Sequence, residues 1–233
     1  MIRSTLNKIL GRTDVPYKKS YSQCGEDLIV KYIFDVLGIQ QPSYMDIGAH
    51  HPTYLSNSAL FYENGSRGIN IEPDPTLIKA FAAQRPEDIS LNIGIGNERS
   101  VLDFYIINNP VLNTFSREEA EKYHQEGDYR IVEQRKVEVD TVASVLKTHR
   151  QGKFPDFLTI DAEGIDDIVL RSIDFEYNFP IVICVETISF SNSGKGMKNH
   201  ELIAFIQSNG YILYADTYIN SIFVRKERWE RQQ

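Results

Sequence analysis

The sequence predicts an α/β fold in which a mostly parallel sheet is covered by helices on both faces and closed by an antiparallel hairpin. Short apolar runs rich in β-branched residues alternate with stretches whose apolar residues recur at helical spacing. That alternation favours right-handed crossovers and a parallel sheet. The last two apolar runs are joined only by a short polar link, which is typical of a hairpin.

The predicted strands are bounded by glycine, proline or acidic residues. They occupy residues 44–47, 68–71, 89–93, 157–160 and 181–185, with the hairpin at 211–214 and 222–224. The predicted helices occupy residues 28–37, 55–62, 76–83, 142–146 and 199–207. Ligands of such sheets bind beyond the carboxyl ends of the strands, so we expect the functional residues directly after each strand.

The length and composition indicate one globular domain over residues 1–233, with 42% hydrophobic and 24% charged residues. We expect residues 1–20 to form an N-terminal extension and residues 226–233 to form a polar tail. The polar segment 108–135 interrupts the apolar pattern, and a long insertion of this kind is often a lid.

The charge and the cysteines bear on partners and location. A net charge of −7 argues against nucleic acid as a partner, because nucleic-acid binding depends on Lys and Arg. Cys184 lies inside an apolar run, which favours a buried thiol and a reducing compartment. Nothing approaches the roughly 18 apolar residues of a membrane span. We expect a soluble, cytoplasmic protein without a transmembrane segment; the oligomeric state stays open.

The first strand ends in an acid and a glycine, Asp46 and Gly48, followed by Ala49. A dinucleotide site needs further glycines here to approach a pyrophosphate, but the chain has His50 and Thr53 at those positions. An acid suits a ligand whose near end is a cationic amino acid, and S-adenosylmethionine meets that requirement. Asp46 and backbone groups of Gly48 and Ala49 would then hold it. Alternatively, Asp46 only caps a turn.

The second strand also ends in an acid, Glu72, which precedes Pro73. A carboxylate at this position can accept hydrogen bonds from both hydroxyls of a ribose, and it repels a 2′-phosphate. The alternative is a helix N-cap. After the third strand, Asn92 and Gly94 offer a surface of small residues for a nucleoside base, or Gly94 only forms a turn.

Five segments together resemble the FkbM-type methyltransferase family: residues 21–27, 46–49, 56–57, 67–73 and 160–164. The resemblance covers about residues 20–225. It implies a Rossmann-like class I methyltransferase fold and S-adenosylmethionine as the methyl donor. It also implies O-methylation of a small-molecule or glycan acceptor, often a sugar of a polysaccharide or of a glycosylated natural product.

The resemblance further implies which residues hold the cofactor. Asp46, Gly48 and Glu72 would bind it, and the segment containing Gln23 and Glu26 would cap the same pocket. Asn57, in the motif at 56–57, is a further cofactor-binding candidate. The segment that follows the first glycine motif and the insertion vary in the family, so they inherit no role.

Methyl transfer to a hydroxyl needs a base near the methyl group. Asp161 and Glu163 follow the strand at 157–160, and Glu186 follows the strand at 181–185, so we expect these three carboxylates to converge. Asp161, which could also contact the cofactor, is the favoured general base. Alternatively, the three carboxylates bind Mg²⁺, which would lower the pKa of the hydroxyl.

Other interpretations of these residues stay open. His200 is an alternative base because its pKa lies near neutrality, although it could be a solvated residue at a helix start. Asp161 and Glu163 could instead be a pair of helix N-terminal acids. The rival functions are an NAD-dependent oxidoreductase of the same architecture, and a cofactor-binding module without catalysis that acts in a polysaccharide assembly complex.

Overall fold

The computed structural model describes residues 17–126, 128–162, 164–189 and 196–231. We number the elements in chain order. The strands are β1 Tyr44–Ile47, β2 Gly68–Ile71, β3 Ile89–Leu91, β4 Gly94–Gly96, β5 Ser100–Ile107, β6 Ile131–Thr141, β7 Phe157–Ile160, β8 Val182–Glu186, β9 Tyr211–Asp216 and β10 Asn220–Arg225. The α-helices are α1 Glu26–Val36, α2 Ala59–Glu63, α3 Pro75–Gln84, α4 Arg117–Glu126, α5 Val142–Arg150, α6 Asp166–Arg171, α7 His200–Ser208 and α8 Lys226–Glu230. A 3₁₀-helix covers Pro110–Leu112.

The central sheet confirms the predicted fold. In the described chain its seven strands run in the order β3-β2-β1-β7-β8-β10-β9. The first five strands of this order, from β3 through β2, β1 and β7 to β8, are parallel. Strand β10 pairs antiparallel with both β8 and β9. The chain therefore winds outward from β1 in one direction and from β7 in the other. A ligand crevice is expected between the carboxyl ends of these two strands.

The side chains of the central strands alternate between two apolar cores. Met45 and Ile47 face the core that α5, α6 and α7 cover, whereas Tyr44 faces the core that α1 and α2 cover. Asp46 follows the parity of Tyr44 and pairs in register with Asn70 on β2. Thr159 on β7 is its neighbour on the other side, so polar side chains interrupt the apolar packing of this face near the carboxyl ends of the three strands.

A second sheet, β4-β6-β5, corrects the prediction at two places. Residues 94–96, expected to form a turn or loop, are the strand β4, and β6 begins at Ile131, inside the segment 108–135. Polar residues fill most of β6, which hid its strand pattern. The connection between β5 and β6 contains α4 and packs through a small core of its own: Tyr105, Ile107, Leu112, Ala120 and Tyr123.

Several helix boundaries also differ from the prediction. The helix predicted to start at residue 55 begins at Ala59, because Leu55 has a left-handed backbone with φ +54°. Helix α6 was not among the predicted elements. The expected polar tail contains α8, whose Trp229 packs edge-on against Tyr214 with ring centroids 5.1 Å apart. Most of the expected N-terminal extension, residues 1–16, lies outside the described residues.

Candidate active site

The carboxyl ends of β1 and β7 meet at Gly48. This residue has φ +77°, and a Cβ atom on it would lie 1.8 Å from the carbonyl oxygen of Asp161. Only glycine allows this approach. The backbone N–H groups of Gly48 and Ala49 both donate to the carbonyl of Ile71, each at 3.0 Å, so the end of β1 is also tied to β2. Because both N–H groups are used in this way, the turn offers a ligand only its carbonyl oxygens, which accept hydrogen bonds.

Asp46 is buried beside this turn. Its Oδ2 accepts a hydrogen bond from the Ser58 hydroxyl at 2.5 Å. Burial raises the pKa of Asp46 to about 6, against the Ser58 hydrogen bond and the charge of Arg85, which both lower it. The charge of Asp88 adds to the rise. The side chain is thus an acid that ionises near neutrality and gains from a nearby cation.

Glu72 follows β2 and is buried as well. Its Oε2 accepts from the N–H of His50 at 2.9 Å, and its Oε1 accepts from the N–H of Asp74 at 2.8 Å. Burial raises the pKa of Glu72 to about 7; the two N–H groups lower it, and the carboxylates of Asp74 and Asp46 raise it further. Each oxygen keeps capacity for another hydrogen bond, because a carboxylate accepts about four.

The crevice itself is a largely apolar cleft of about 470 Å³. Gly94 lies in its wall, where an added Cβ would come within 2.4 Å of the Phe115 ring. The Phe115 ring packs against Phe104 at a centroid distance of 4.7 Å. The cleft is lined by Ile47, Gly48, His50, Ile71, Glu72, Pro73, Ile93, Gly94, Ile95, Phe104, Pro110, Val111, Asn113, Phe115, Asp161, Ala162 and Ile165.

A more polar pocket opens beside this cleft and shares Gly48, His50, Val111 and Asp161 with it. Asn57 lies in its wall and donates to the Thr159 hydroxyl at 3.0 Å. The pocket is lined by Asp46, Gly48, Ala49, His50, Leu55, Ser56, Asn57, Val111, Thr159 and Asp161. The two spaces form a continuous path from Asp46 past Asp161 to Glu72 and Gly94.

Asp161 stands where the two spaces join. Its side chain is accessible from the cleft, although protein surrounds it on the other sides. Removal from bulk water raises the pKa of this carboxyl group, and the charges of Asp166, Asp46 and Glu26 raise it further. Among the described residues, none donates a hydrogen bond to this carboxylate. Asp161 can therefore take up a proton readily.

The structure does not support convergence of Asp161 with Glu186. Glu186 lines a separate pocket of about 540 Å³, together with Glu119, Asp166, Asp167 and Asn199. Glu163 lies outside the described residues. Within the described part of the chain, no three His, Cys, Asp or Glu side chains gather as a metal site would require. The expected Mg²⁺ site is therefore unsupported, because adjacent strand ends send their carboxylates into different pockets.

Four other candidates lie away from the cleft lining. Gln23 is exposed, whereas Glu26 is fully buried and accepts from Cys24 N–H, Thr217 and Asn220. Burial raises the pKa of Glu26, but these hydrogen bonds together hold it below its usual range. Glu26 thus ties the segment before α1 to the β9–β10 turn. Asn92 donates to the carbonyls of Glu72 and Pro73, and His200 is an exposed first residue of α7.

Sequence reasoning missed most of the apolar wall. Phe104 belongs to β5, and Val111, Asn113 and Phe115 lie in the connection after it, where no pattern indicates a ligand. His50 lines both spaces, and burial and the neighbouring His51 lower its pKa. The run of apolar residues from Phe104 to Ile107 indicates a buried end of β5, but it does not indicate which of them faces a ligand.

A model of the methyltransferase FkbM domain matches residues 46–213 of this chain. The chain belongs to this family. The match begins at Asp46 and ends within β9, so the FkbM domain includes the ends of β1, β2 and β7 that form the cleft. The prediction of an S-adenosylmethionine-dependent methyltransferase is confirmed at the level of the family.

Several solved methyltransferase structures are similar to this FkbM protein at low identity. The methyltransferase FkbM from Methylobacillus flagellatus KT is 12% identical with a TM-score of 0.46, over 79% of this chain and 44% of that one. A TehB-like SAM-dependent methyltransferase from Corynebacterium glutamicum is 10% identical with a TM-score of 0.42, over 97% and 95%. This chain thus spans less than half the length of the Methylobacillus protein.

A search of curated proteins finds no match. Among the helices that the structure describes, none has the length and apolar character needed to cross a membrane.

Proposed function

We propose that this protein is an S-adenosylmethionine-dependent O-methyltransferase that acts on a hydroxyl group of a carbohydrate. The observation that carries the proposal is the pair of buried acids, Asp46 and Glu72, at the ends of the adjacent strands β1 and β2. Asp46 would bind the ammonium group of the cofactor, Glu72 would bind the ribose hydroxyls, and the wall at Gly94 would receive the adenine.

The cleft suits this cofactor in its lining and in its charge. Its wall is largely apolar, with Glu72 and Asp161 as its carboxylates. Burial disfavours the ionised forms of Asp46 and Glu72. A cationic ligand bound between them would favour these ionised forms and would be attracted by both carboxylates. The pyrophosphate of a dinucleotide would instead meet two carboxylates.

The cofactor, when bound, supplies an electrophilic methyl group on a sulfonium. Asp161 stands between the two halves of the path and would accept the proton of the acceptor hydroxyl, because its raised pKa favours proton uptake. The apolar cleft would exclude water from the transfer. Direct base catalysis by Asp161 therefore needs no metal ligand set.

The acceptor would reach Asp161 from the pocket that contains Glu119, Asp166, Asp167 and Glu186. This pocket lies next to the cleft, because Ala162 of the cleft lining donates its N–H to Asp166. Carboxylates accept hydrogen bonds from sugar hydroxyls but repel phosphates. This lining favours a neutral polyhydroxylated acceptor over nucleic acid.

The chain's organisation and location are part of the proposal. We infer a single domain in which the segment 108–135 covers the cofactor, since Pro110, Val111, Asn113 and Phe115 line the cleft. The free thiols of Cys24 and Cys184 fit a reducing compartment, the cytoplasm.

The cofactor assignment is tested by calorimetric titration with S-adenosylhomocysteine and with NAD in parallel. We expect the first to bind and the second not to bind. Glu72→Gln should weaken S-adenosylhomocysteine binding about 100-fold, because it removes the negative charge and replaces one accepting oxygen by an NH₂ group, which cannot accept from a ribose hydroxyl. Glu98→Gln, at an exposed acid, is the matched control. Binding of NAD alone would overturn the proposal.

The acceptor class is tested by transfer of a labelled methyl group from S-adenosylmethionine. Neutral oligosaccharides and polysaccharide fragments are compared with RNA and with protein substrates. We expect label in an alkali-stable methyl ether of a sugar. Labelled RNA or protein, with sugars unlabelled, would contradict the proposed acceptor while leaving the cofactor assignment in place.

A further inference from the structure

Arg85 is a buried cation behind the cofactor side of the cleft. It follows α3 directly and only 2% of its surface is exposed. Within the described part of the chain, no carboxylate lies within ion-pair distance of its guanidinium group. Burying an unpaired charge is costly, so its hydrogen-bond partners must compensate it.

The guanidinium group donates four hydrogen bonds to neutral acceptors. One nitrogen donates to the Ser58 hydroxyl at 2.8 Å and to the Asn70 side-chain carbonyl at 3.3 Å. The other donates to the Ser56 hydroxyl at 2.9 Å and to the carbonyl of Pro52. Three of these four acceptors belong to residues 52–58, the segment that leads from the first turn to α2.

The direction of the hydrogen bonds is fixed by chemistry. A guanidinium group has only donors, so the Ser58 oxygen must accept from Arg85. The single hydroxyl hydrogen of Ser58 is then free for Asp46, whose Oδ2 lies 2.5 Å away. Asp46 must accept this hydrogen, and a carboxylate does so better than a neutral acid. The charge of Arg85 polarises the Ser58 hydroxyl, which strengthens the hydrogen bond that Ser58 donates to Asp46.

Arg85 also braces an unfavourable backbone. Leu55 has φ +54°, and it lines the same pocket as Asp46. A left-handed backbone is unfavourable for a residue with a Cβ atom and persists where its surroundings hold it. The contacts of Arg85 with Pro52 and Ser56 lie on either side of Leu55 in the chain.

We propose that Arg85 is a positioning residue of the cofactor site, which orients Asp46 through Ser58 and holds residues 52–58 against the amino-acid end of the ligand. This inference rests on the proposed function, in which Asp46 binds the ammonium group. Arg85 itself lines neither space and acts through its neighbours, of which Ser56 lines the pocket of Asp46.

Other ionisable groups also face Asp46 and enter its pH dependence. Asp88 lies near it, and Tyr44, Glu72, Asp161 and Cys184 interact with its charge. Arg85 lowers the pKa of Asp46, so removing the guanidinium group should raise it. Protonated Asp46 cannot pair with an ammonium group, so binding would weaken at a higher pH than in the wild type.

The test compares two ligands between pH 5.5 and 8.5 by calorimetry. S-adenosylhomocysteine carries the amino-acid end, whereas 5′-methylthioadenosine has the same adenosine but lacks that end. In Arg85→Met and in Ser58→Ala we expect S-adenosylhomocysteine to bind roughly tenfold more weakly at pH 7.5. Its pH midpoint should move upward, and 5′-methylthioadenosine should bind as in the wild type.

Arg99→Met, which removes an exposed arginine, is the matched control and should change neither ligand. If Arg85→Met does not fold, Ser58→Ala carries the test, since it removes a single hydroxyl. Equal loss of both ligands, or an unchanged S-adenosylhomocysteine profile in Ser58→Ala, would overturn the inference. A wild type that binds neither ligand would instead sink the proposed function as well.

Discussion

The carboxylates on the two sides of the cleft differ in the hydrogen-bond donors around them. On the β1–β2 side each acid has donors: Ser58 on Asp46, and two backbone N–H groups on Glu72. On the β7 side, no described residue donates to the Asp161 carboxylate, and burial and neighbouring acids raise its pKa. A carboxylate with donors is held in place to bind a ligand. One without donors is suited to take up a proton.

The largest effect is expected where the two sides meet. Gly48→Ala places a Cβ atom 1.8 Å from the carbonyl oxygen of Asp161, so the ends of β1 and β7 must move apart. We expect the free energy of unfolding to fall by roughly 3 kcal/mol or more, with loss of S-adenosylhomocysteine binding. Urea denaturation and calorimetry measure the two outcomes.

Gly38→Ala is the matched control for backbone strain. Gly38 has φ +72°, close to that of Gly48, but an added Cβ there meets nothing within 4 Å. It should cost only about 1–2 kcal/mol and leave ligand binding intact. Equal losses in the two variants would show that strain alone, and not the junction of the two sides, explains Gly48.

Asp161→Asn tests whether Asp161 acts in catalysis while the acids of the β1–β2 side bind the cofactor. We expect kcat to fall at least about 100-fold, with the dissociation constant for S-adenosylhomocysteine changed less than about threefold. In the wild type, kcat should rise with pH as the raised pKa of Asp161 is passed, because only the ionised form accepts a proton.

Glu118→Gln, at an exposed acid of α4, is the control for the Asp161 variant. An Asp161→Asn enzyme with wild-type kcat would reject Asp161 as the base. A large loss of cofactor affinity with unchanged kcat would place Asp161 with the binding acids instead.

A smaller effect is expected at the adenine wall. Gly94→Ala brings a Cβ within 2.4 Å of the Phe115 ring, which can turn aside at moderate cost. We expect 5′-methylthioadenosine to bind about threefold to tenfold more weakly. Gly96→Ala, whose Cβ would meet Val139 at 2.9 Å, should bind it normally. Similar losses in both would mean that this sheet, not the Phe115 wall, sets the affinity.

Much of the fold and half of the site were predictable from the sequence. The strands at 44–47, 68–71 and 157–160 were predicted with the bounds that the structure has, and the closing hairpin is confirmed. Their apolar runs end in Asp46, Glu72 and Asp161, so strand periodicity alone placed these acids at one sheet edge. The second sheet was missed because its long strand β6 is mostly polar.

That Asp161 and Glu186 line different pockets could not be predicted, because strand order alone places both residues at the ends of the neighbouring strands β7 and β8. Arg85 was missed for a similar reason. From the sequence, an arginine that follows a helix and precedes a proline is expected at the surface. Its burial here depends on the hydroxyls of Ser58 and Ser56, which come from a distant part of the chain.

The sequence by itself determined the alternation of strands and helices, the acids at the strand ends and the resemblance to the FkbM family. These are local properties: apolar periodicity, turn residues and short motifs act over a few positions. Only the tertiary structure decided which acids gain donors, which face a cation and which pocket each one enters. Those outcomes depend on contacts between residues far apart in the chain, because the donors and charges around each carboxylate come from other elements of the fold.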